Sequence, residues 1–222
     1  MTASEITALK PSSHYADRIH IYLDGTFLAS VDEMTVATRH LRVGMQLSPG
    51  DAAALREEAD VHALVDRCLR FLSFRPRSER ELRLYLQRRK VEPEQIEAVL
   101  EELRRLKLVD DAAFARFWRE SRDRFSPRGE RLLKAELRAK GLSSEDVAEA
   151  LPDAEDESAL ALRAAERHVR TLRGLPWLDF RQKMFGFLQR RGFDYEVSNH
   201  AVRTVWETLA GEGEGEDREA QP

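Results

Sequence analysis

Six cations recur at one spacing. Arg77, Arg80 and Arg83 are matched 51 residues later by Arg128, Arg131 and Lys134, and Arg138 extends the second set where Gln87 stands in the first. A helix turns by roughly 100° per residue, so Arg131, Lys134 and Arg138 at i, i+3 and i+7 form one stripe, with Leu133 and Leu137 on the opposite side. Guanidinium and ammonium groups in a row make charge-assisted hydrogen bonds to phosphates or carboxylates; they do not make or break bonds. The bland alternative is a solvated helix face, and repetition of the stripe is what favours an extended anionic partner over it. One further step of 51 gives Asp179, Gln182, Phe185 and Gln189, where the stripe is absent. A cation at the following turn persists in all three copies, as Arg89, Lys140 and Arg191.

Bond-making chemistry finds no comparable pattern. The six histidines are scattered without metal-ligand spacing, and neither a phosphate loop nor a dinucleotide fingerprint is present. Cys68 falls on the apolar stripe of a helix, as a packed thiol would. Asp110-Asp111 stands where a helix N-cap is expected, not as a catalytic dyad. A binding protein, not an enzyme, is expected, with no cofactor and no metal. A helix-turn-helix DNA reader has the right outline in AELRAKGLSSEDVAEAL, but its recognition helix would carry Glu145, Asp146 and Glu149, and the earlier copy Glu94, Glu97, Glu101 and Glu102. Those carboxylates oppose phosphate, so base-specific reading by these units is not expected.

The elements that position the stripe follow from periodicity. FRPRSERELRLYLQRRKVEPEQIEAVL and FSPRGERLLKAELRAKGLSSEDVAEAL align at the offset of 51, and a weaker third copy places Met184, Leu188, Gly192, Phe193 and Val202 in the same register. Tandem helical units that stack apolar faces are the physical reading. Ser78 with Glu81 makes a capping box, Pro93 opens the next helix with Ile96, Val99, Leu100, Leu103 and Leu106 inward, and Asp110 or Asp111 caps a third, with Phe114, Phe117 and Trp118 inward. Gly141 suits a left-handed C-cap; Lys90 stands at the equivalent place, so that turn is expected to differ in shape. Upstream, Ile19, Ile21 and Leu23, then Asp24-Gly25, then Phe27, Ala29 and Val31 read as a β-hairpin with a type I′ turn. Residues 5–10 can add a strand and 33–41 a short helix. Ser48-Pro49-Gly50-Asp51 starts a long helix with Val61, Leu64, Val65, Cys68, Leu69 and Leu72 on one face.

Composition narrows the rest. The 222 residues are 42% hydrophobic and 34% charged, with 11 Gly and 8 Pro, which fits helical domains and excludes disordered or fibrous classes. No apolar run reaches the ~20 residues of a membrane span, the start carries no apolar signal core, and one cysteine excludes an internal disulfide framework. A cytoplasmic location is expected. The net charge of −4 is uneven: residues 1–74 carry −3, residues 75–140 carry +6 and residues 141–222 carry −7. A basic middle between acidic flanks marks a local polyanion-facing surface.

The two long repeat segments, the junction Leu108-Val109-Asp110-Asp111-Ala112-Ala113-Phe114-Ala115 and the run Gln189-Arg190-Arg191-Gly192-Phe193 resemble the RecX family of regulators of the RecA recombinase. The N-terminal hairpin followed by Arg42-Val43-Gly44-Met45-Gln46-Leu47-Ser48 resembles members with an added β-containing head, and Lys90 departs from the glycine usual in the family. The likeness spans nearly residues 15–205. It implies a non-enzymatic modulator that lies along or caps a RecA–DNA filament and restrains its ATPase and strand exchange, with RecA and its DNA filament as partners, single- or double-stranded DNA as a possible direct ligand, no membrane and a monomeric state. Two other readings stay open: a nonspecific DNA-binding helical-repeat protein without a recombinase partner, and a helical scaffold for protein interactions. Arg77, Arg80, Arg83, Arg89, Arg128, Arg131, Lys134, Arg138, Lys140 and Arg191 are the candidate partner-binding residues.

The expected fold is mostly α: a tandem array of three three-helix repeats forming an elongated curved solenoid behind a small β head. The expected segments are the head at 1–47, a connecting helix at 48–73, repeats at 74–124, 125–173 and 174–210, and a disordered acidic tail at 211–222 (GEGEGEDREAQP), whose composition buries little apolar area.

Overall fold

The computed structural model describes residues 3–12, 18–151 and 154–219. Four strands, β1 (Ser4–Pro11), β2 (Arg18–Leu23), β3 (Thr26–Asp32) and β4 (Gln46–Leu47), form an antiparallel sheet in the order β3-β2-β1-β4, with the helix α1 (Glu33–Thr38) between β3 and β4. Asp24 (φ 47°) and Gly25 (φ 83°) make the expected two-residue turn, with Leu23 opposite Thr26. The strand phase expected for Phe27 does not hold. A register shift after Ile21 pairs Tyr22 with Phe27, so the Phe27 ring stands half-exposed against Tyr22 and His20 while Ala29 and Val31 turn into the core. One extra residue in a strand reverses the faces that follow it.

Helix α2 (Pro49–Leu72) begins at the Ser48 cap, whose Oγ accepts from the Asp51 N–H at 3.1 Å. Its first half gives Leu55 and Ala59 to the sheet core of Ile6, Ile21, Leu23, Ala29, Val31, Leu41 and Leu47, which answers the need of a small sheet for a covering face. Buried Arg18 ties the sheet to the same helix through Asp66 and donates to the Ser30 carbonyl at 3.2 Å.

The second half of α2 puts Leu64, Val65 and Cys68 against α3 (Glu79–Gln87) and α4 (Pro93–Arg105). Cys68 is fully buried, and burial pushes its thiol up to about 11, so it packs as an apolar side chain. A second core joins α5 (Asp111–Phe125), α6 (Glu130–Ala139) and α7 (Ser144–Ala150) through Phe114, Ala115, Leu133, Leu137, Val147 and Ala150. A third joins α8 (Ala154–Val169), α9 (Trp177–Arg190) and α10 (Tyr195–Glu219) through Leu160, Ala165, Phe180, Met184, Leu188, Phe193 and Val202. Three helices per repeat and a period of 51 hold. The expected boundaries do not: each core gathers its helices one step earlier in the chain than repeats starting at residues 74, 125 and 174. A tandem period fixes spacing but not where the unit is cut; the cut follows which helices bury one another.

Three smaller expectations also change. Leu106 is the C-cap of α4 and 43% exposed, because the helix ends before its stripe does. The Lys90 turn keeps the shape of its copies: Lys90 takes φ 59°, beside 91° at Gly141 and 90° at Gly192, and the same closing bond runs from Val91, Leu142 and Phe193 back to Leu86, Leu137 and Leu188. The expected tail at 211–222 is helical backbone as far as Glu219, since a helix already formed adds hydrogen bonds at little nucleation cost; residues 220–222 lie outside the described residues.

By contact, the chain forms two compact units, Met1–Arg75 with Leu82–Val109, and Pro76–Glu81 with Asp110–Pro222. The first turn of α3 thus belongs with the later repeats. No helix among the described residues is long and apolar enough to cross a membrane.

Candidate functional site

In the second unit, α6 is held from both ends. At its start, Glu157 Oε1 accepts the N–H of Glu130 at 2.8 Å, and the Gly129 N–H donates to the Arg191 carbonyl at 2.9 Å. A Cβ at Gly129 would lie 2.3 Å from the Phe193 nitrogen, so only glycine admits this approach. The same device recurs at the start of α3. Asp111 Oδ1 accepts the Glu79 N–H at 2.8 Å, and Ser78 Oγ donates to the Lys140 carbonyl at 2.8 Å. Burial raises both carboxyls, Asp111 and Glu157, against the lowering effect of the N–H each receives. Sequence reasoning missed this role: Asp110 is the local cap of α5, accepting from the Ala113 N–H at 2.9 Å, while Asp111 reaches a helix 32 residues away with no short-range signature.

With Leu133 and Leu137 buried, α6 turns Arg131, Lys134 and Arg138 away from the core. Arg131 is exposed and spends one nitrogen on the Gln189 carbonyl at 2.8 Å. Lys134 is half-buried and Arg138 exposed, and neither has an ion pair among the described residues. Arg80 joins them: its stem lies 2.6 Å from where a Cβ at Gly141 would stand, and the Gly141 N–H closes on the Arg138 carbonyl at 2.9 Å. Four of the ten expected cations therefore share one open neighbourhood.

The other six are committed elsewhere. Arg83 makes a two-pronged pair with Glu97, one arm at 3.1 Å. Arg89 lies over the Tyr85 ring at 3.6 Å and donates to its carbonyl, with Tyr85 stacked on Phe71. Arg77 is half-buried and engaged. Arg128 stands 3.5 Å from Glu136, which also accepts from Arg122 at 2.7 Å and from the Trp118 indole at 2.9 Å. Lys140 pairs with Glu81 at 2.5 Å and sits over Trp118. Arg191 donates to Ser126 Oγ at 3.0 Å and to the Pro127 carbonyl, over the Phe187 ring. These six shape turns and helix contacts.

Comparison with known proteins gives three consecutive matches: RecX, first three-helix domain, at residues 65–103; second three-helix domain at 110–151; and third three-helix domain at 155–202. These limits agree with the three cores. A regulatory protein RecX from Lactobacillus gasseri is 32% identical over 184 residues, covering 82% of this chain and 68% of the relative. One from Bacillus subtilis is 28% identical over 202 residues, covering 90% and 76%. A crystal structure of regulatory protein RecX superposes with a TM-score of 0.72 at 26% identity, covering 87% of this chain and 96% of its own. Matched along all three helical repeats, this chain belongs to the RecX family of regulatory proteins.

Proposed function

We propose that the protein binds RecA and RecA–DNA filaments and restrains the recombinase's ATP hydrolysis and strand exchange, acting in DNA repair and recombination in the cytoplasm, with the open cations of α6 and Arg80 as the contact. The observation that carries this reading is selective availability: Arg131 and Arg138 of α6 and nearby Arg80 are exposed, with half-buried Lys134 between the two on α6, and none of the four has an ion pair among the described residues. Such a face suits phosphate or the carboxylates of an acidic protein, and a nucleoprotein filament offers both. Membership of a family of regulatory proteins supports the regulatory part of the reading.

The test changes Arg80, Lys134 and Arg138 together to Glu. Helicity and melting should stay near wild type, because all three side chains lie outside the buried cores and surface substitutions usually shift stability within about ±0.5 kcal/mol. Filament binding and the effect on RecA ATP hydrolysis should fall together. If the contact is to single-stranded phosphates, the slope of log affinity against log salt falls by about 0.7 for each contact removed. If it is to an acidic face of the recombinase, bare-DNA binding hardly changes. A wild-type protein that binds bare DNA and leaves RecA ATP hydrolysis unchanged would favour the nonspecific DNA-binding alternative.

A further inference from the structure

The turns at Lys140 and Arg191 are copies, 51 residues apart, and their surroundings differ in one consistent way. Lys140 pairs with Glu81, and Glu136 on the preceding helix gathers Arg122, Arg128 and Trp118. One repeat later the positions of Glu81 and Glu136 are Leu132 and Phe187. Both carboxylates are gone, yet cations remain. Arg167 and Arg191 line a cavity of about 130 Å³ with Phe125, Pro127, His168 and Phe187, and neither arginine has an ion pair among the described residues. That volume is about four waters' share of liquid, room for one phosphodiester group.

The cavity's walls are arranged for an anion beside a flat ring. His168 stacks on Phe187 with centroids 3.8 Å apart, and the Arg191 guanidinium lies 4.5 Å from the same Phe187 ring, so Arg191 rests on an aromatic face and not on a carboxylate. Arg167 donates to the Arg124 carbonyl at 3.1 Å, and the Arg124 guanidinium stands 5.3 Å from the Phe125 centroid. Phe125 itself is 71% exposed at the rim, an apolar ring with no core to explain it. Like charge is unrelieved here: after burial, Arg128 and Arg167 hold Arg191 down, and Arg191 and Arg190 do the same to His168.

We propose that this cavity takes one phosphate of a single-stranded nucleic acid, with the neighbouring base stacked on Phe125. An exposed aromatic beside cations is the working unit of sequence-tolerant single-strand binding, and a paired base cannot offer its face to such a ring. The site extends the nucleic-acid side of the proposed function to a second surface, but it needs neither the α6 face nor a recombinase. Cations without an ion pair at the cavity supply the charge complementarity, and the exposed Phe125 ring adds a stacking face that a bare anion would leave unused.

The test uses the full chain, a labelled oligodeoxythymidine and no recombinase. Phe125→Leu should weaken binding by roughly five- to a hundredfold, and Arg167→Gln should lower the salt slope by about 0.7. Both positions are exposed, so circular dichroism and melting should match wild type. In Phe125→Trp, the emission added over wild type should be quenched by the oligonucleotide and untouched by inorganic phosphate or a blunt duplex. Wild-type affinity in both folded variants overturns the proposal, and so does equal quenching by the duplex or by phosphate alone. Because RecA is absent, these failures leave the α6 reading to its own ATPase test.

Discussion

Helices α3 and α6 carry the same basic pattern and present it differently. In α3, Arg83 is closed off by a bidentate pair with Glu97 of α4; in α6 the matching residue is Lys134, and the position matching Glu97 is Ala148, exposed on α7. Arg138 extends the open row, where α3 has Gln87. Repeated charge is therefore not repeated availability. Whether a cation is free depends on a residue on the next helix, 14 positions on in both copies, which a stripe drawn on one helix does not include.

The comparison can be broken first at its foundation. Leu86 and Leu137 are both fully buried at matching places, so Leu86→Ala and Leu137→Ala should each cost about 2–5 kcal/mol in urea unfolding. A loss below about 0.5 kcal/mol at either, the range of exposed sites, would dissolve the equivalence of the two helices. The turns come next. Gly141→Ala meets a positive φ and the Arg80 stem 2.6 Å away, so it should cost at least about 1–2 kcal/mol. Lys90→Gly relieves a similar φ but frees the unfolded chain, and should stay within about 1 kcal/mol of wild type.

The carboxylate caps predict a smaller, pH-dependent effect. Asp111 is raised in the folded state, chiefly by burial, so the stability it contributes is fully present below the ordinary carboxylate range near pH 4 and is lost as pH rises through the raised value. Asp111→Asn keeps an oxygen for the Glu79 N–H and removes the charge. Its melting point should equal or exceed wild type at pH 7, and the gap should close toward pH 4. A variant less stable at pH 7 than at pH 4, relative to wild type, would show that the N–H outweighs burial. The smallest effect is the most specific. Glu97→Ala should free Arg83, and Ala148→Glu should close Lys134, changing affinity for a single-stranded oligonucleotide in opposite directions by roughly two- to fivefold, the scale of exposed ion pairs.

Much of this was legible in the chain. Helix starts at Ser48 and Asp110 and the Asp24-Gly25 hairpin depend on neighbours within a few residues, the period of 51 is written in the sequence itself, and the structure places these and the buried Leu86 and Leu137 as expected. What was not legible depends on distant partners. The cut between repeats is set by which helices share a core, Asp111 acts on a helix 32 residues away, and the bulge that turns Phe27 outward is a matter of strand pairing. Lys90 shows a third kind of limit. A glycine is sterically required at Gly141 and Gly192, where Arg80 and Leu132 crowd the turn, while Lys90 is exposed and need only tolerate its φ.

The central claim is that the α6 face with Arg80 engages the recombinase filament, and DNA-stimulated ATP hydrolysis by RecA tests it most directly. The rate is measured on single-stranded DNA with wild type, with the Arg80→Glu, Lys134→Glu, Arg138→Glu protein, and with Arg83→Glu as the closed-off control. The account predicts that wild type and the Arg83 variant lower the rate to the same degree while the triple variant, equally folded, leaves it near the RecA-only value. A folded triple variant that restrains RecA as fully as wild type would contradict it.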